Sequence, residues 1–227
     1  MDSDHRFTQK TWCDQKMCKV ENTMSILSPS FYQRPDVVAI AKDLLGKWLL
    51  TSLPGNEVTA GIIIETEAYA GPEDRASHAH GMRRTKRTEV MYENGGIAYV
   101  YLCYGIHHLL NVVTNSSDIP HAVLIRALLP TSGIQIMMKR RGKKESSLQL
   151  TGGPGALCQA LGIDISHNGV PFDSPILRIE DHNHPVDINQ IEVSPRIGID
   201  YAGPDALLPW RFRLKPSLLE KIEAVCV

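Results

Sequence analysis

Residues 61–69, GIIIETEAY, join an apolar run to two carboxylates and an aromatic, and in a β-strand successive side chains point to opposite faces. Glu65, Glu67 and Tyr69 then point one way, and Ile62, Ile64 and Thr66 the other. An isoleucine face is anchored in a core, so the carboxylate face must meet water, a cation or a substrate. Further strands are expected at 47–50, 98–102, 109–114 and 123–128, with turns at AGPED, ENGG and SSD. Pro35 and Asp36 open a helix whose apolar positions Val37, Ile40, Ala41, Leu44 and Leu45 share one face, and Gly46 closes it. Residues 134–141 and 157–161 also read as helices, the second entered through GGPG. Successive strands with short connections favour antiparallel pairing. The expected fold class is therefore α+β: a single domain with a curved antiparallel β-sheet flanked by helices.

Two segments supply what a carboxylate strand lacks. In YVYLCYGIHHLLN, Tyr99 and Tyr101 share a strand face, Tyr104 precedes Gly105 at a turn, and Asn111 sits among Leu109, Leu110, Val112 and Val113. Tyrosines are flat surfaces with polar tips, suited to stacking on a planar ligand, although Tyr99 reads as core. HAVLIRAL, from His121, is a buried strand carrying one charge, Arg126, which requires an anionic partner.

A net charge of −1 removes any global basic field, so an anionic polymer would have to be met locally. Two runs offer that. RRTKR supplies Arg83, Arg84, Lys86 and Arg87 between the carboxylate strand and the tyrosine strand; KRRGKK, 139–144, reads by itself as solvated surface. GGPG lacks a following GK[ST], so it is a helix-entry turn and not a P-loop. Five cysteines without a CxxC pair indicate neither a disulfide framework nor a zinc site. Residues 1–23 hold no apolar run that could act as a signal peptide or membrane span; they read as a disordered leader before a domain at 24–227, with Met24 as an alternative start.

ETEAYAGPEDRASH, YVYLCYGIHHLLNVV, AVLIRALLP, TGGPGALCQALGI and PRIGIDYAGPDALLPWRF, in this order from about Ser28 onward, resemble the alkyladenine (3-methyladenine) DNA glycosylases of bacteria and vertebrates. The resemblance implies a base-excision-repair enzyme that flips alkylated or deaminated purines out of duplex DNA and hydrolyses the N-glycosidic bond. It gives Glu67 the activation of a water and Arg126 the holding of it. Tyr69, His78 and Tyr101 match base-stacking and recognition positions, Asn111 the filter against the guanine amino group, and Tyr104 the wedge that fills the vacated stack. No lysine matches a Schiff-base position, so an intact abasic site without lyase activity is expected. Relatives often carry a basic residue where Ala156 stands, which puts one phosphate contact in doubt. No cofactor or metal is implied; the expected partner is double-stranded DNA with damaged purines, bound by a monomer with no membrane association. Location would be cytoplasmic and nucleoid-associated in a bacterium, nuclear in a eukaryote.

Residue by residue, duller readings stand beside these. Glu67 and Arg126 also fit a plain buried ion pair, His107 and His108 fit structural roles, and His78 with His80 fits a surface pair. Glu65, roughly 7 Å from Glu67 along the strand, is compatible with the two-carboxylate spacing of a glycoside hydrolase. A non-catalytic binder of damaged DNA is the third class.

Overall fold

The computed structural model describes residues 24–55, 57–144 and 148–226, so the leader read at 1–23 lies outside the described residues. Among the described residues the strands are β1 (Ser25–Ile26), β2 (Trp48–Leu53), β3 (Glu57–Tyr69), β4 (Ala98–Cys103), β5 (His107–Thr114), β6 (His121–Ser132), β7 (Leu177–Asp181), β8 (Ile191–Ser194) and β9 (Arg211–Leu214). They form one sheet in the order β1-β7-β2-β3-β6-β5-β4, with β9 added to β3 and β8 to β9, and every pairing is antiparallel. The sheet is curled, and with helices α1 (Pro29–Tyr32), α2 (Val37–Asp43), α3 (Ile134–Arg141), α4 (Pro154–Leu161) and α5 (Pro216–Cys226) the fold is α+β, as expected. No described helix is long and apolar enough to cross a membrane.

Local chemistry accounts for the elements around the site. Asp36 caps α2, its carboxylate accepting the Ala39 N–H at 2.9 Å. The apolar face of that helix, Val37, Ile40, Ala41, Leu44 and Leu45, is buried, and Gly46 ends the run in a left-handed conformation with φ +84°. Thr66 Oγ1 donates to the Ala41 carbonyl at 2.8 Å, which ties α2 to β3. Strand β3 ends against Gly71, φ +64°, where a Cβ would meet the Pro120 carbonyl oxygen at 2.6 Å; only glycine lets the chain turn so close to its neighbour.

Two departures from simple alternation matter. Ile62, Ile63 and Ile64 are all buried, because both faces of β3 are covered there. Around the carboxylates the β3–β6 register also shifts twice: β3 carries an extra residue at Ile64, and β6 one at Arg126, after which the original pairing resumes. At the same point β3 exchanges β2 for β9 as its second neighbour, with Glu67 opposite Arg211. The sheet therefore branches where its carboxylates stand.

Candidate active site

Glu67 is fully buried between two strands that each bring an arginine. Its Oε1 accepts the Ile197 backbone N–H at 2.9 Å. Its Oε2 accepts the Tyr69 hydroxyl at 2.9 Å and lies 3.2 Å from Arg126 Nη1. A carboxylate has about four lone-pair directions, so two hydrogen bonds and the arginine contact leave room for one more. Glu65 is differently used: its Oε1 accepts both Arg126 Nε at 2.9 Å and Arg211 Nε at 2.7 Å. Clamped by two guanidiniums, it orients Arg126 toward Glu67 and is not presented to a substrate, which disfavours the paired-carboxylate glycosidase.

Tyr69 rests on a second buried pair that the sequence reading did not single out. The Arg196 guanidinium packs between the Tyr69 ring, 4.7 Å away, and the Trp210 ring, 5.1 Å away. Asp74 holds it with both carboxylate oxygens, and both side chains are wholly buried. Arg196 also donates to the carbonyls of Ala68 and Asp205. Burial, together with the adjacent Glu67 carboxylate, pushes the Tyr69 phenol far above the usual tyrosine range, so it stays a donor.

Tyr69, His78, Tyr101, Asn111 and Arg126 all line one cavity of about 730 Å³; Glu67 sits directly behind this wall, in contact with Tyr69, Arg126 and Ile197. Tyr101 stands edge-on to His78 at 4.7 Å and tilted against Tyr99 at 5.3 Å. Tyr99 is 2% exposed, as a core residue should be, yet its hydroxyl lies 2.8 Å from His78 Nδ1. Arg87 covers the Tyr101 ring at 4.6 Å and donates from Nη2 to His78 Nε2 at 3.2 Å. A guanidinium only donates, so Nε2 accepts and the proton of neutral His78 resides on Nδ1, facing Tyr99.

Burial, then Arg87 and Arg83, lower the His78 pKa from 6.5 to about 4. With the folded value below the unfolded one, the unfolded chain binds the extra proton first as pH falls. His78 thus destabilises the fold progressively from pH 6.5 down to about 4. Thermal unfolding followed across this window should show wild type losing stability more steeply than His78→Gln; parallel curves would mean His78 is not held neutral.

Asn111 is 5% exposed, and its Nδ2 donates to the Tyr99 carbonyl at 3.1 Å, which fixes the amide and leaves the oxygen over. Tyr104 is 90% exposed at the tip of the β4–β5 hairpin, where it and Gly105 both have positive φ and the Ile106 N–H closes on the Cys103 carbonyl at 3.1 Å. It is therefore not a core tyrosine. In the basic loop Arg83, Lys86 and Arg87 are exposed. Arg84 is occupied: it bonds Glu89 and Asp118 and covers the Tyr92 ring at 4.7 Å.

In the second basic run Arg140 is bound to Glu57 and the Ala160 carbonyl, and Arg141 to the Leu150 carbonyl and Gln159, while Lys139, Lys143 and Lys144 are exposed. Arg141 nevertheless reaches the cavity, as do Gly153 to Ala156 at the start of α4 and His107, against which Gly155 packs. His80 is exposed. Among the described residues Cys103 and Cys158 are free thiols, and no group of three His, Cys, Asp or Glu is placed to hold a metal.

Residues 30–217 match the model of the family described as "Methylpurine-DNA glycosylase (MPG)". Among curated proteins, one from Chlamydia felis (strain Fe/C-56) is 48% identical over 198 residues, 87% of this chain and 100% of its own length. One from Chlamydia abortus (strain DSM 27085 / S26/3) is 50% identical over 83% of this chain and 98% of its own length. One from Bacillus mycoides (strain KBAB4) is 45% identical over 81% of this chain and 93% of its own length. Each bears the name "Putative 3-methyladenine DNA glycosylase".

Proposed function

The chain belongs to the methylpurine-DNA glycosylase family, and from that footing we propose that it turns an alkylated or deaminated purine out of duplex DNA into the cavity walled by Tyr69 and Tyr101 and hydrolyses its N-glycosidic bond. The observation that carries this reading is Glu67 held by two hydrogen bonds and paired with Arg126, with acceptor capacity left over, behind an aromatic-lined cavity of about 730 Å³. A water in that direction gives its proton to the carboxylate as its oxygen attacks C1′ of the sugar. The C1′–N bond breaks, the base leaves with the bonding electrons, and an intact abasic site remains. Glu67 also stabilises the positive charge that develops on the sugar, and Arg126 Nη1 keeps the carboxylate and water aligned.

Selection begins before chemistry. A purine alkylated at N3 or N7 is cationic, and tyrosine faces bind a cation more tightly than a neutral base. Its positive ring is also a better leaving group. In this reading Asn111, whose amide is held by the Tyr99 carbonyl, excludes a guanine amino group. Arg83, Lys86 and Arg87 are the phosphate contacts of this reading, with Arg84 contributing through the loop it braces.

The test is release of free base from duplexes each carrying one lesion: 3-methyladenine, 7-methylguanine, hypoxanthine or ethenoadenine. An alkali-labile site without enzymatic strand cleavage is expected, and no base release from any of the four would overturn the proposal.

Tyr104 is the wedge of this reading. Because it is 90% exposed, Tyr104→Ala removes almost no buried area and should leave the melting temperature unchanged. Filling the vacated stack is worth a few kcal/mol, so single-turnover excision from paired lesions should fall by about tenfold or more. The 2-aminopurine signal of unstacking should fall with it. A variant that melts far below wild type yet flips bases normally would make Tyr104 structural.

A further inference from the structure

Beside the base cavity lies a second hollow of about 520 Å³ lined in part by His80 and made cationic by Arg75, Arg83 and Arg87. Ser77, His78, Arg87 and Tyr201 line both spaces and so form the partition between them. Tyr201 is the unusual member. It is 71% exposed, and an exposed tyrosine is ordinarily free to leave its position. Here its hydroxyl donates to the Ala76 carbonyl at 3.3 Å.

The backbone beneath it is fixed as well. Ile199 and Ala202 are buried with Ala76 in a small apolar cluster, and Asp205 accepts the Arg75 N–H at 2.9 Å while its carbonyl accepts Arg196 at 3.1 Å. The segment around Tyr201 is thus pinned from both sides, and its side chain stands mostly exposed at the rim of both spaces.

A nucleotide has three parts with three chemistries: a flat base, an apolar-faced sugar and an anionic phosphate. The base belongs between Tyr69 and Tyr101, and the phosphate is drawn to the hollow beside Arg83 and Arg87. The sugar must then bridge the partition. We propose that Tyr201 is a positioning residue whose ring packs on the deoxyribose of the extruded nucleotide, presenting C1′ toward Glu67. This rests on the glycosylase reading above and adds a sugar contact to it.

The experiment uses the full chain, wild type, Tyr201→Ala and Tyr201→Phe, and two duplexes: one with a hypoxanthine, one with a tetrahydrofuran abasic analogue that keeps sugar and phosphate but lacks a base. Tyr201→Ala should bind both duplexes about tenfold more weakly, the worth of one aromatic contact, and Tyr201→Phe should recover most of that loss. The melting temperature should not move, since the side chain is mostly in water. A loss confined to the hypoxanthine duplex would mean that Tyr201 reads the base, and undiminished affinity for both, or a large drop in melting temperature, would likewise overturn the sugar contact. Base release by the wild type is measured alongside; its absence refutes the glycosylase reading itself, whereas release with an unaffected Tyr201→Ala refutes only the inference about Tyr201.

Discussion

Glu67→Gln is expected to abolish base release, by about 10²- to 10⁴-fold, while binding to a lesion duplex survives. Gln preserves the length and planarity of the side chain and can still accept the Ile197 N–H through its oxygen. What it loses is the capacity to take a proton from water and to oppose positive charge on the sugar. Its amide nitrogen would face donors, the Tyr69 hydroxyl and Arg126 Nη1, so some stability is lost as well. Lesion binding by gel shift shows that the variant remains folded, and single-turnover kinetics then isolates the chemical step. Near-normal turnover would remove Glu67 from the reaction and return the Glu67–Arg126 contact to a structural ion pair.

Asp74→Asn should cost more stability than any change in the basic loop. It leaves the wholly buried Arg196 guanidinium without its counter-charge, and breaking a buried pair on one side costs about 3–5 kcal/mol. For a chain of this size that corresponds to a fall in melting temperature of about 6–20 °C. Because Arg196 supports the Tyr69 ring from behind, excision should fall in the fraction that remains folded. Replacing both partners by apolar residues, Asp74→Leu with Arg196→Met, strands no charge but takes these partners from the Ala70 and Ala76 N–H groups and the Ala68 and Asp205 carbonyls, so it should recover only part of the stability. Equal melting temperatures for Asp74→Asn and wild type would show that the pair is not what holds this wall.

How much of this was legible in the sequence depends on the range of the interactions involved. Helix α2 was readable from Asp36, its apolar stripe and Gly46, and α3 at Ile134–Arg141 from local pattern alone, because capping and periodicity act within a few residues. Strands β3 to β6 were readable in place but not in length. Strands β7 to β9 were missed: LRIED, IEVS and RFRL are four or five residues mixed with charge, and only pairing with distant strands makes them strands. The site followed the same rule. Glu67, Tyr69, Tyr101 and Arg126 could be found because a charge or aromatic interrupts an apolar run. Arg196, Asp74 and Arg211 could not, because Arg196 and Asp74 lie 122 residues apart in the chain and Arg211 lies 146 from Glu65. The one local hint was an arginine in PRIGID, between apolar neighbours with no acid beside it.

The paired irregularities at Ile64 and Arg126 set a rule of length for this part of the chain. Each strand spends one residue outside the ladder, and the two offsets cancel, so the sheet to either side is in register as though neither existed. A substitution here leaves the register as it is. A single insertion or deletion in either stretch does not, because it would carry every following side chain of that strand to the opposite face and take Glu67 or Arg126 with it. Viable changes of length would have to arise as matched pairs on β3 and β6, which makes the spacing from Ile63 to Glu67 and from Leu124 to Ala127 as much a part of the candidate site as the side chains it positions.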